Sequence, residues 1–118
     1  MPEDWARPVV HWEIQARDPQ RIREFYARMF NWAIGDGPIM QIPAGAGGPE
    51  PDQFSGHILP GDTARVALYI QVRDLRASIE QAQTLGGAAL SPPFDVPGGP
   101  TIAAIADPEG NRVVLVQQ

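Results

Sequence analysis

The chain has 118 residues, 43% of them apolar, and a formal net charge of −5. That is enough for one folded domain and too acidic for a surface that neutralises nucleic-acid phosphates. It contains no cysteine and no lysine, which excludes disulfides, thiolate nucleophiles, thiolate metal ligands and Schiff-base chemistry.

The opening residues MPEDWARP lack the apolar core of a secretory signal, and no apolar run nears the roughly 18 residues that span a bilayer. Cytoplasmic residence without a membrane partner is therefore expected, and residues 1–8 read as a loosely held arm. From Val9 the pattern alternates: Val10, Trp12, Ile14 and Ala16 on one face, His11, Glu13 and Gln15 on the other. The apolar set is expected to lie under a helix and the polar set to face water or a cleft. Asp18-Pro19 is a helix start, because an Asp carboxylate accepts an orphan backbone N–H and proline suits the first helical position. Ile22, Phe25, Tyr26 and Met29 follow at helical spacing as the predicted buried stripe. Short strands are predicted at Trp32–Ile34, Ile39–Ile42 and Phe54–Leu59, with a Gly/Pro-rich loop over 43–53 and a turn at Pro60-Gly61-Asp62.

The plan then starts again. Shifted by 56, Ile14-Gln15-Ala16-Arg17-Asp18 falls on Ile70-Gln71-Val72-Arg73-Asp74, identical except at the third position. A repeat at this scale sets the fold before any single element does. Val66, Leu68, Ile70 and Val72 are expected against a second helix, with Ala67, Tyr69 and Gln71 on the opposite face. Asp74 caps that helix, Leu75, Ala82 and Leu85 line its apolar side, and Gly86-Gly87 ends it. Strands are predicted at Ala88–Leu90, Thr101–Ala106 and Arg112–Val116, with a loop over 91–100 and a type I turn at Asp107-Pro108-Glu109-Gly110. The result is an α+β domain over 1–118. It has two βαβββ modules, about 9–60 and 64–118, forming one curved mixed sheet trough with helices on its outer face.

On these residues the chain resembles the vicinal oxygen chelate superfamily, the glyoxalase/bleomycin-resistance/dioxygenase group. The carrying motifs are His11-Trp12-Glu13-Ile14 with Arg17-Asp18, Phe25-Tyr26-Ala27-Arg28-Met29-Phe30-Asn31-Trp32, Val72-Arg73-Asp74-Leu75, Leu85-Gly86-Gly87 and Ala106-Asp107-Pro108-Glu109-Gly110-Asn111. They span nearly the whole chain. The resemblance implies the fold more strongly than any reaction, since one fold hosts many chemistries. It implies metal ligands on the trough face. His11 matches the first ligand position, and Gly56 or His57 falls near a second. Ala67 and Val114 stand where the other two would be, and neither can bind a metal.

Three readings follow, the last of them a non-catalytic partner module whose trough is filled by another chain. The first is a small-molecule-binding protein with an incomplete metal site. The second is a divalent-metal (Zn, Ni, Mn or Fe) lyase, isomerase or dioxygenase with His11 and His57 as ligands. Glu13 is the candidate catalytic base, beside an imidazole that titrates near neutrality. His11, Gln15, His57, Tyr69, Gln71 and Arg112 are the candidate ligand-binding residues; each has the plainer reading of a polar group on an open strand face. No phosphate loop or serine elbow is present: Ser55, Ser78 and Ser91 do not stand in a G-x-S-x-G pattern. A homodimer is expected from apolar last strands, and the 43–53 and 91–100 loops are candidate lids.

Overall fold

A computed structural model describes residues 6–43 and 55–118. Residues 1–5 of the opening arm and most of the 43–53 loop, with Phe54, lie outside the described residues. The elements in order are β1 (Val9–Ala16), α1 (Pro19–Phe30), β2 (Met40–Ile42), β3 (Gly56–Pro60), β4 (Arg65–Val72), α2 (Leu75–Thr84), β5 (Ala88–Ala89), β6 (Phe94–Asp95), β7 (Thr101–Ala106) and β8 (Arg112–Gln117). The class is α+β, with mixed strand pairing and the two-module βαβββ plan. The chain divides into two compact units, His11–Ala67, and Leu68–Gln118 with the chain start up to Val10.

In the unit 11–67, β3 lies between β1, which it pairs in parallel, and β2, which it pairs antiparallel. The Asp18 side chain accepts from Arg21 N at 3.2 Å, so α1 starts where the Asp-Pro pair places it. Asn31, at φ 59°, closes the helix in the left-handed conformation that Asn tolerates better than most residues. The core is Ala16, Ile34, Met40, Ile42 and Ile58, with Trp12, Ile14, Ile22, Tyr26, Ala27 and Trp32 packed on it. The expected helix stripe is corrected here. Ile22, Tyr26 and Ala27 face inward, whereas Phe25 and Met29 remain 54% and 59% exposed. Trp32 accounts for the turn of the helix. It folds back after the C-cap and lies parallel to Tyr26, with centroids 5.3 Å apart and planes 6° apart, so Tyr26 takes the central inward position.

Trp32–Ile34, expected as a strand, is joined to β2 by Gly35 N donating to Gln41 O. Arg23 explains why it stops short of a ladder. Its guanidinium donates to Ile34 O at 2.8 Å and to Gly35 O at 3.0 Å, satisfying carbonyls that a strand would offer a neighbour.

In the other unit the strand order is β4-β8-β7-β5, with β6 also on β7. Asp74 caps α2 by accepting from Ala77 N at 3.1 Å, and Gly86 ends it at φ 97°. Val72, Leu75, Ala103 and Leu115 form the core, supported by Ile79, Ile105 and Val113. Val66 and Leu68, expected under α2, are instead 62% and 44% exposed. α2 packs on β5, β7 and β8, so its apolar side meets β4 at Val72, the C-terminal end of that strand. Leu85, also expected on the buried side, falls one residue beyond α2 and is 69% exposed. The 91–100 loop contains β6, paired through Phe94 and Asp95 to Ile102 and Thr101. The Asp107–Gly110 turn forms as read. Gly110 N donates to Asp107 O, and the Asp107 carboxylate accepts from Glu109 N, Asn111 N and Asn111 Nδ2 at 3.0, 2.9 and 2.8 Å.

Candidate functional site

The site lies wholly within the unit 11–67 and begins with strand parity. Trp12, Ile14 and Ala16 face α1, so His11 and Glu13 must face the other way. The parallel register pairs Glu13 with His57 and Trp12 with Gly56, which puts Ser55 and His57 on the face of His11 and Glu13. Gly56 is the residue that lets the strands approach. A Cβ there would run into the Trp12 indole.

These side chains form one connected row. The Glu13 carboxylate Oε1 lies 3.0 Å from His57 Nε2, His57 Nδ1 lies 2.7 Å from His11 Nε2, and His11 Nδ1 lies 3.5 Å from Ser55 Oγ. The two imidazole centroids are 4.9 Å apart with planes inclined by 25°. With nitrogens 2.7 Å apart, that separation places the rings edge to edge, as an in-line N–H···N bond requires, and not face over face. Glu13 and His57 are 5% and 8% exposed, so the row is buried at one end and opens toward His11.

With Glu13 ionised and both imidazoles neutral, the chemistry of the donors sets one order of protons. An ionised Glu13 can only accept, so His57 Nε2 donates to it. In a neutral His57, Nδ1 is then an acceptor, and His11 Nε2 donates to it. His11 Nδ1 is left as an acceptor pointing at the Ser55 hydroxyl. Burial holds the His11 pKa below the ordinary imidazole value, and the neighbouring His57 lowers it further while Glu13 pulls the other way. His11 therefore favours the neutral form that this order needs.

The residues present do not fit a catalytic divalent ion. Such a centre normally takes three or more protein donors and keeps an open position. Here His11 Nε2 and His57 Nδ1 face each other, and Glu13 is engaged on the far side of His57. Among the described residues no group of three or more His, Asp or Glu side chains could hold a metal ion.

The other candidates are placed as follows. Gln15 accepts from Arg65 Nε at 3.0 Å and lies over Gly61, whose missing Cβ makes the room for it. It is therefore tied to the β4 end of its own unit. Tyr69, Gln71 and Arg112 belong to the second unit. The register pairs Tyr69 with Val114 and Gln71 with Val116, so these share a face, and Arg112 lies on the same face by parity. Arg112 Nε is buried and has no hydrogen-bond partner among the described residues. Ala67 and Val114 are 1% and 3% exposed. Ser55 was missed as a member of the site, because its signal is a register. Ser55-x-His57 matches His11-x-Glu13 only when β1 and β3 are known to run side by side.

A family model for a glyoxalase-like domain matches residues 11–116. The chain belongs to the glyoxalase-like domain family. Putative glyoxylases CFP32 of Mycobacterium bovis and Mycobacterium tuberculosis are each 27% identical to it over 97% of this chain. The match takes in 47% of each relative, so the chain spans about half the length of these curated proteins. Among solved structures it resembles a hypothetical protein of Bacillus halodurans, with a TM-score of 0.66 at 12% identity over 97% of this chain and 96% of that one. A glyoxalase/bleomycin resistance protein/dioxygenase superfamily member from Vibrio splendidus gives 0.64 at 10%, over 96% and 100%. A Streptomyces coelicolor methylmalonyl-CoA epimerase gives 0.61 at 13%, over 94% of each chain. At these identities the likeness is one of fold.

Proposed function

We propose that this glyoxalase-like domain, taken as a single domain over 1–118 with modules at about 9–60 and 64–118, binds a small molecule on the strand face of His11, Glu13, Ser55 and His57. In this reading the Glu13–His57–His11 row accepts a proton or hydrogen bond from the ligand without a fully ligated metal. The observation that carries it is the buried row itself, with links of 3.0 and 2.7 Å ending at a half-buried His11. A proton taken up at His11 Nδ1 is stabilised along the row, because His57 and then the Glu13 carboxylate can polarise toward it. Glu13 is then a positioning residue for His57, and His11 is the group that meets the ligand. The relatives' name, putative glyoxylase, supports a small-molecule ligand.

The test combines a small-molecule thermal-shift screen with nitrogen-detected NMR of the two histidines. Hits whose stabilisation disappears in His11→Ala, together with a His57 ring protonated at Nε2 alone, are the expected outcome. Hits indifferent to His11→Ala and Glu13→Gln would overturn the reading.

The metal-dependent alternative has one observation in its favour. A carboxylate behind a histidine, as Glu13 stands behind His57, is also how metal-ligating histidines are oriented. Near one equivalent of Zn, Ni, Mn or Fe in wild type and none in His11→Ala, by elemental analysis, would replace the first reading with this one.

A cytoplasmic homodimer completes the proposal. No helix among the described residues is long and apolar enough to cross a membrane. Val114 and Val116 are buried within the chain, so the last strand does not supply the apolar surface expected of it; Leu85, Leu90 and Phe94 are apolar side chains left exposed. A mass near that of one 12.8 kDa chain at micromolar concentration, by light scattering, would rule the dimer out.

A further inference from the structure

A second candidate site lies away from the His11 row, in a groove of about 700 Å³ between α1 and the start of β4. Its floor is apolar, made by Ile14, Ile22 and Tyr26 with Phe25 and Val66 at the sides. Phe25 and Val66, which the helical and alternating patterns place in a core, are both left more than half exposed by the fold. The rim is cationic: Arg17, Arg21 and Arg65 line it, against a single carboxylate, Asp18, which already accepts from Arg21 N as the helix cap. Three arginines against one aspartate give the groove's lining a positive balance in a chain with net charge −5. Arg65 is held in place there by its hydrogen bond to Gln15.

An apolar floor large enough for a small ligand and a rim of planar cationic forks call for one kind of molecule. We propose that this groove binds a small amphiphile, an alkyl or aryl chain ending in a carboxylate. The chain lies against Phe25, Tyr26 and Val66, and the carboxylate meets Arg17 and Arg21 at the start of α1. Tyr26 lies parallel to Trp32, so occupancy is read by indole fluorescence as well as by heat.

The experiment titrates the full chain with decanoate below its micellar range, and with decyltrimethylammonium and decan-1-ol as head-group controls. Decanoate should bind at least about tenfold more tightly than either control, and more weakly as salt rises. Arg17→Gln with Arg21→Gln, and separately Phe25→Ser, should each weaken it by about tenfold. All three positions are exposed, so these variants keep the core, and unchanged melting temperatures verify it. His11→Ala should leave decanoate binding unaltered, which separates this site from the one proposed above. Absence of binding, affinity indifferent to the head group, or loss in His11→Ala but not in Phe25→Ser would each overturn the proposal. So would a self-associated chain that Phe25→Ser converts to monomer, since a second copy would then fill the groove.

Discussion

The two copies of the internal repeat share a scaffold and differ in the face it presents. Asp18 and Asp74 cap their helices through the same carboxylate-to-backbone bond, at 3.2 and 3.1 Å. β1 and β4 each run parallel to the last strand of their module. On the face opposite the helix, however, β1 and β3 with the adjoining Ser55 carry His11, Glu13, Gln15 and His57, where β4 and β8 carry Ala67, Tyr69, Gln71, Arg112, Val114 and Val116. One copy buries a connected row of ionisable groups, and the other sets buried Ala67, Val114 and Val116 among Tyr69, Gln71 and Arg112. The capping and pairing residues are the ones that each copy needs to fold, whereas the outward alternates are free to diverge. Chemistry can therefore be concentrated in one half without cost to the architecture of the other.

The largest effect that would test this contrast is a cavity on the shared scaffold. Ile58 is fully buried between the strand pair and α1. Ile58→Ala should destabilise by roughly 2–5 kcal/mol in denaturant unfolding, whatever happens to ligand binding. Glu13→Ala should come next. It leaves the His57 Nε2 proton without its buried acceptor, at roughly 1–3 kcal/mol. Glu13→Gln keeps an acceptor oxygen and should lose less stability, yet it should still abolish the ligand-induced thermal shift if the row works as proposed. The paired caps come third. Asp18→Ala and Asp74→Ala should each cost about 1 kcal/mol, and near-equality between them would confirm that the repeat is equivalent at its helix starts. Last comes pH. The folded His11 pKa lies below its ordinary value, so its contribution to stability is full above that ordinary value and is lost as pH falls through the folded value. The melting temperature should decline on mild acidification in wild type and decline less in His11→Gln; a parallel decline in both would assign the effect elsewhere.

What was legible in the sequence was whatever local chemistry decides. The Asp-Pro and Asp107–Asn111 signals carry their own hydrogen bonds, and alternation over residues 10–16 settles which side chains share a face. Partnership across strands was not legible, because the register of β3 against β1 depends on Gly56 yielding to the Trp12 indole. That single close approach decides whether His57 stands beside Glu13 and whether Ser55 belongs to the row. The helix stripe failed for a related reason. Phe25 and Met29 sit at core spacing, but Trp32, beyond the helix end, stacks on Tyr26 and sets which side turns inward. Trp32–Ile34 looks like strand until Arg23 reaches the carbonyls of Ile34 and Gly35 from eleven and twelve residues away.

The engagement of His57 at both ring nitrogens has a consequence in time as well as in space. An imidazole bonded at one nitrogen can rotate by half a turn and return with little penalty. One gripped at both must break two buried bonds to do so. The His57 ring is in effect a locked rotor, and the order of protons along the row is stored in its orientation. In the proposed site, a ligand arriving at His11 would meet a partner already set for it, and the speed of its response would not depend on waiting for a ring to turn.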